Sequence, residues 1–204
     1  SMLAAGCATM NKQQKGTVAG AAGGALIGAA VSGGTIWGVL IGAAVGGTAG
    51  NLIGKKMDKQ AKELKQAIPT AEVNRVGEGI NVTFSSGLMF KINSAEISDS
   101  YKDDLAAAAG VFKNNPETNI LVEGHTDDTG SDEVNMNLSQ KRAEAVSAFL
   151  QSNGIDASRL QTKWYGESQP KYANDGEENR QKNRRVELAV YANEEMKTKA
   201  KDGK

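Results

Sequence analysis

Between Lys15 and Lys55 the chain carries no charged residue, and glycine returns at every fourth position through two long runs. The first run is Gly16, Gly20, Gly24 and Gly28; the second is Gly34, Gly38, Gly42, Gly46, Gly50 and Gly54. In water each glycine costs a helix roughly 1 kcal/mol relative to alanine. A period of four makes sense when a second helix must approach closely, because it puts every glycine on one flat stripe. The spacing predicts a helical hairpin over 16–54 that turns at Gly33–Gly34. Its other faces carry Leu26, Ile27 and Val31, then Ile36, Trp37, Val39, Leu40, Ile41 and Val45. The second arm, at ~20 residues, just reaches bilayer-spanning length, and the first is shorter. A flexible linker is the competing reading, but such linkers favour serine and do not hold register over six glycines.

The single cysteine, Cys7, excludes a disulfide within the chain. Its setting, "LAAGC", resembles the lipobox of bacterial lipoproteins, although Ala4 stands where leucine is commonest. Residues 1–15 are therefore read as a lipobox remnant and N-terminal segment, with Cys7 as the lipid acceptor. Lipid chains would add roughly 0.8 kcal/mol per buried CH₂. The stretch 16–54 resembles the glycine-zipper domains that precede some periplasmic modules, which implies membrane association or self-assembly. Residues 55–79 follow as a helical spacer: Met57, Ala61, Leu64 and Ile68 recur at helical spacing and Pro69 ends the run.

From about residue 80 the pattern changes to that of a mixed globular fold. "INVTF" (80–84) alternates Ile80, Val82 and Phe84 and reads as a strand. Ile97, Tyr101, Leu105, Ala109 and Phe112 mark a helix face, with Ser98 and Asp99 suited to its start. "NILVEG" (119–124) is a second strand, and a helix over 136–153 points Leu138, Val146, Phe149 and Leu150 inward before Gly154. "QTKWYG" (161–166) and "RVELAVYA" (185–192) complete the strands. The fold class is α+β, a β/α/β/α/β-β sandwich over 80–192 with its helices on one face, and 193–204 forms a mobile tail. With 24 basic and 24 acidic residues, the chain lacks the basic surface that nucleic-acid binding needs.

"VEGHTDDTG" (122–130) holds the only histidine, His125, beside Asp127 and Asp128. Metal binding needs three or four converging ligands, and the chain supplies one histidine and one distant cysteine. A hydrolase would need a nucleophile and an oxyanion donor set, and nothing nominates either. His125 is read as a residue that closes the loop. Binding fits better. Ser139 suits a helix start, which would bring Arg142 near the positive end of the helix dipole. A guanidinium there is best explained by an anion beside it. Asp127 across from Arg142 would then hold a zwitterion, ammonium on the aspartate and carboxylate on the arginine. A direct Asp127–Arg142 salt bridge, or two unrelated surface charges, would explain the same spacing.

"FKINSAEI", "VEGHTDDTG", "NMNLSQKRAEAV", "GIDASRL", "YGESQP" and "NRRVEL" occur in the order and spacing of the OmpA-like C-terminal domain. The resemblance covers roughly 80–192 and implies non-covalent binding of the peptidoglycan stem peptide at its diaminopimelate residue. It implies that Asp127 meets the ammonium and Arg142 the carboxylate, that Asn135, Leu138, Gly130 and Arg184 line the pocket, and that Asn93 and Ser94 form the opposite rim. "FKINSA" departs from the family's "FDFDSA", and "ENRQKNRR" from its "GRAxNRR". The resemblance thus implies an outer-membrane lipoprotein facing the periplasm, gripping the wall without catalysis, metal or cofactor. The alternative is a membrane oligomer, pore-like, built by the glycine zipper and anchored to the wall. Replacing Gly38, Gly42 and Gly46 by leucine separates the two: unchanged membrane association and oligomeric state would sink the close-packing reading.

Overall fold

The computed structural model of the protein describes residues 36–42, 45–85, 89–90 and 93–203. Cys7, the first glycine run and the turn at Gly33–Gly34 lie outside the described residues. In chain order come α1 (Ile36–Gly42), α2 (Gly47–Ala67), β1 (Glu72–Val76), β2 (Gly79–Ser85), α3 (Asp99–Asn114), β3 (Thr118–His125), α4 (Asp132–Ser152), β4 (Leu160–Trp164), α5 (Glu177–Asn183), β5 (Arg185–Ala192) and α6 (Glu194–Lys201). The strands form one sheet in the order β1-β2-β5-β3-β4. β3 and β4 run parallel, joined through α4, and the other pairs are antiparallel.

Alternation builds the core. Ile80, Val82 and Phe84 lie opposite Val190, Leu188 and Val186, and all six are fully buried. Ile120 and Val122 of β3 extend this face, and α3 lays Tyr101, Leu105, Ala108, Ala109 and Phe112 into the same cluster. The expected boundaries of α3 hold: Ser98 precedes it and Asn115 follows it. Gly154, at φ +90°, ends α4 where the sequence places it.

Four expectations need correction. First, the second zipper arm is not one helix. Gly46 and Gly47 both take left-handed backbone, φ 69° and 64°, and split it into α1 and α2. The Glu78 carboxylate accepts from the amides of Val45 (2.7 Å) and Gly46 (3.1 Å) at that break. Gly50 serves a close approach of another kind, to the β1–β2 hairpin: a side chain there would meet the Glu78 carboxylate. At Gly54 a side chain would fit, and Arg75 Nη2 donates to its carbonyl.

Second, the spacer over 55–79 is an element of the core. Ile53, Met57 and Leu64 are fully buried on one stripe of α2, and β1 pairs along most of β2. A boundary at residue 80 would separate strands that are paired. Third, the tail is an ordered helix: Asn193 caps α6, and Met196 and Ala200 are buried in the core cluster. Fourth, the second face of the sheet is also covered. α1 seats Ile36 and Leu40 on Leu121 and Ala189, and Leu40 comes so close to Gly79 that no side chain fits there. No described helix is long and apolar enough to cross a membrane.

Candidate functional site

The inward face of α4 changes character along its length. Its buried residues read Asn135, Ser139 and Arg142, then Ala143, Val146, Ser147 and Leu150, so only Ser147 is polar in the second half. The second half packs as an amphipathic helix must. The first half turns polar groups inward, which costs stability unless each is paired. The helix also starts earlier than the sequence suggests. Ser131 caps it, accepting from the Val134 amide, so Arg142 sits in the third turn rather than the first. The dipole argument for Arg142 therefore fails. Burial takes its place, because a guanidinium only 4% exposed requires anionic or carbonyl partners.

Gly124 lets this polar half-face meet the end of β3. A side chain there would overlap the backbone carbonyl of Ser139, so α4 rests directly on the strand. Ser139 Oγ donates to the Met136 carbonyl (2.8 Å) and accepts from the Gly166 amide (3.0 Å), pinning the β4–α5 connection to the helix. The Thr126 amide donates to the Gly166 carbonyl at 2.9 Å, so the loop after β3 is held from two sides.

Within that loop Asp127 is 4% exposed. Its Oδ1 accepts from the Thr129 amide at 2.9 Å, and its Oδ2 accepts from Arg184 Nη1. Arg184 Nη2 reaches Glu177 on α5. Asn135 Nδ2 donates to the Asp127 carbonyl (3.3 Å) and to Glu167, fixing the loop against the helix. Arg142 Nε donates to the Ser94 carbonyl at 3.1 Å, and its guanidinium lies 5.1 Å from the centre of the Phe90 ring. Burial, and then the charge of Arg184, lower the pKa of Arg142 to about 10, while Asp127 opposes the shift. Two guanidiniums thus converge on Asp127, and Glu177 holds the outer side of Arg184.

Most of the sequence-derived residues meet here. Asp127, Arg142, Asn135 and Arg184 are within one network. Leu138 is half-buried, one helical turn before Arg142, and Gly130 at φ +107° turns the chain into α4 beside Asn135. Ser94 contributes its carbonyl rather than its hydroxyl, which caps Glu96 instead. Asn93 is exposed and makes a left-handed turn at φ 54°, while Lys91 and Ile92 lie outside the described residues.

Sequence reasoning missed two things. Asn183 is fully buried, and its side chain accepts from the amides of Lys171 and Tyr172 and donates to Tyr172 and Asn174. It clamps the loop that carries α5 and hence Arg184; a lone asparagine gives no signal of this. Asp128 is also not without a partner. It pairs with Arg180 of α5 at 2.8 Å. That pair is solvent-exposed, so Asp128→Ala leaves ligand binding within ~3-fold of wild type, measured by titration beside Asp127→Ala. A separate cavity of about 180 Å³ lies between β1, β2 and α5, lined by Glu72, Thr83, Lys171, Tyr172, Lys182 and Arg185. Its charges pair internally, Lys171 with Glu72, or outward, Arg185 with Glu187, and it shares no residue with the Asp127 network.

His125 does not face this network. It lies 1% exposed under the opposite side of the sheet, stacked on Tyr165 at 5.5 Å, and neither ring nitrogen has a hydrogen-bond partner among the described residues. Burial, then the charge of Arg185, hold it neutral well below its ordinary pKa. Glu123 is pushed up to about 8 by burial and then by Glu187, against the Ile36 amide, Tyr165 and Lys163. Its 3.7 Å approach to His125 is therefore a contact of neutral groups at pH 7. Among the described residues no three carboxylate, histidine or cysteine side chains converge as a metal would need.

These two groups act oppositely on stability. Glu123 binds its proton more tightly folded than unfolded, so its contribution is complete below about pH 4.5 and is lost as pH rises through about 8. His125 is depressed, so its contribution is present above 6.5 and lost as pH falls. Glu123→Gln, which cannot ionise, should be ~4 kcal/mol harder to unfold than wild type at pH 9 and like wild type at pH 4.5. Urea titrations at both pH values check it; the same gap at both would show that Glu123 ionises in the fold as readily as in the unfolded chain.

Fold and site together define a class: a mixed-sheet domain with a charged network where the end of one parallel strand meets the polar half-face of the following helix. The chain belongs to the OmpA family, whose pattern matches residues 89–184, and a YMGG-like Gly-zipper pattern matches residues 1–58. It is 36% identical over 118 residues to the probable lipoprotein YiaD of Escherichia coli K12, covering 58% of this chain and 54% of that one. It is 37% identical over 100 residues to the peptidoglycan-associated lipoprotein of Pasteurella multocida, covering 49% of this chain and 67% of that one. The chain thus spans about half the length of the first of these relatives and two thirds of the second. Among solved structures it resembles the cell wall anchor of the T6SS from Pseudomonas aeruginosa, with a TM-score of 0.59 and 26% identity over 67% of this chain and 97% of that one.

Proposed function

We propose that this chain binds peptidoglycan non-covalently, gripping the zwitterionic end of diaminopimelate in the stem peptide. The observation that carries this reading is the buried Asp127 set between Arg142 and Arg184. Binding is an exchange rather than an addition. Asp127 is already neutralised by Arg184, so the ligand ammonium displaces that guanidinium. Arg184 then joins Arg142 on the ligand carboxylate, and no charge is left buried alone. Asn135 and Glu167 keep the loop in place while the partners change. Gly130, Leu138, Asn93 and Ser94 supply the walls. The role is binding without catalysis.

The chain is further read as a tether. A lipid at Cys7 would hold its N-terminal end in the outer membrane, with the domain facing the periplasm. The glycine zipper would pack with lipid or with further copies of the chain. The similarity to lipoproteins and the zipper pattern over 1–58 support this reading. The test is co-sedimentation of the full chain with purified sacculi in the presence of stem peptides that carry meso-diaminopimelate or lysine at the same position. Release by the diaminopimelate peptide and not by the lysine peptide is the expected outcome, since within a peptide lysine keeps no paired ammonium and carboxylate. Failure to sediment, or equal release by both, would overturn the reading.

A further inference from the structure

Three large apolar side chains are conspicuously exposed among the described residues: Val134, Met136 and Tyr172. Two of them flank Asn135, the residue that ties α4 to the Asp127 loop. Val134, Leu138 and Arg142 succeed one another at a spacing of four, so they form one line along α4. Burial deepens along this line. Val134 is 56% exposed, Leu138 half-buried and Arg142 4% exposed. The line is an apolar ramp that descends to the guanidinium at its foot.

Val134 contributes little to the core at this exposure, and its turn is fixed, because its amide donates to the Ser131 cap. The neighbouring Asp132 and Glu133 are exposed acids in the first turn. They disfavour an anionic group on the ramp and leave an uncharged, small alkyl group as the fitting occupant. In a stem peptide the diaminopimelyl residue is bonded on one side to glutamate, which bears a free carboxylate, and on the other to alanine. We infer that Val134 and Leu138 form an apolar subsite for the methyl group of the alanyl residue bonded to the opposite end of the gripped diaminopimelate. This rests on the diaminopimelate reading and extends it from one residue to two.

The experiment titrates the full chain with three probes: meso-diaminopimelate, meso-diaminopimelyl-D-alanine amide and the matching glycine amide. The two amides differ by one methyl group. Wild type should bind the alanine amide ~5-fold more tightly than the glycine amide, below the factor for a closed pocket because the ramp is half open. Val134→Ser, at an exposed position, should abolish that preference and keep wild-type affinity for diaminopimelate itself. Equal affinity of wild type for the two amides would overturn the subsite. So would a Val134→Ser variant that loses affinity equally for all three probes. If wild type binds none of the probes, the diaminopimelate reading fails first and the subsite falls with it; binding of diaminopimelate without the methyl preference overturns the subsite alone.

Discussion

Asp127→Ala and Arg142→Ala should each weaken binding of the chain to sacculi by ~30-fold or more, while both variants stay folded. Losing one partner of a buried, hydrogen-bonded charge pair costs ~2–5 kcal/mol, because the remaining charge is left without compensation. Asp127→Ala removes the only carboxylate of the converging trio and leaves two guanidiniums facing each other. The ligand ammonium then loses its buried carboxylate partner. Arg142→Ala removes the fixed carboxylate donor, leaving only Arg184, which must first leave Asp127. The fold survives because neither residue belongs to the apolar cluster; Arg142 bridges the Ser94 carbonyl and the Phe90 ring at its edge. Co-sedimentation, with thermal unfolding of each variant as the control, checks both halves. Binding like wild type in both variants would remove the pocket assignment.

Gly124→Val should lower stability by ~3 kcal/mol, or about 6–12 °C in Tm for a domain of this size. The collision is with the backbone carbonyl of Ser139, which no rotamer change can move aside. α4 must lift from β3, and the Ser139–Gly166 and Asn135–Asp127 hydrogen bonds lengthen with it. Binding should therefore fall alongside stability. Circular dichroism melting checks the first effect and sacculus binding the second. A Tm shift under ~2 °C would mean that α4 is not seated on this glycine.

The core and four of the five strands were readable from alternation and helical spacing. Ile80, Val82 and Phe84 are buried because a pleated strand sends alternate residues to one face. Asp127 and Arg142 were reached as a pair, but partly for the wrong reason. Arg142 is not at a helix start, and the guanidinium that pairs with Asp127 in the free protein is that of Arg184, fifty-seven positions away on a different element. Spacing along one helix cannot show a contact made across three elements. Asn183 and Glu78 were silent for the same reason, since each serves a distant backbone segment.

The glycine runs show the division most clearly. By itself the sequence determined that something must approach this stripe closely, because a glycine every fourth residue has no other use in a helix. It could not say what approaches. For Gly50 the tertiary structure decided that: the β1–β2 hairpin, with Glu78 at its turn, lies where a second helix was expected. The physical reason is that small residues fix a distance and not an identity. Patterns of burial and spacing are local and survive in the chain, whereas the choice of partner depends on which surfaces the finished sheet brings within reach.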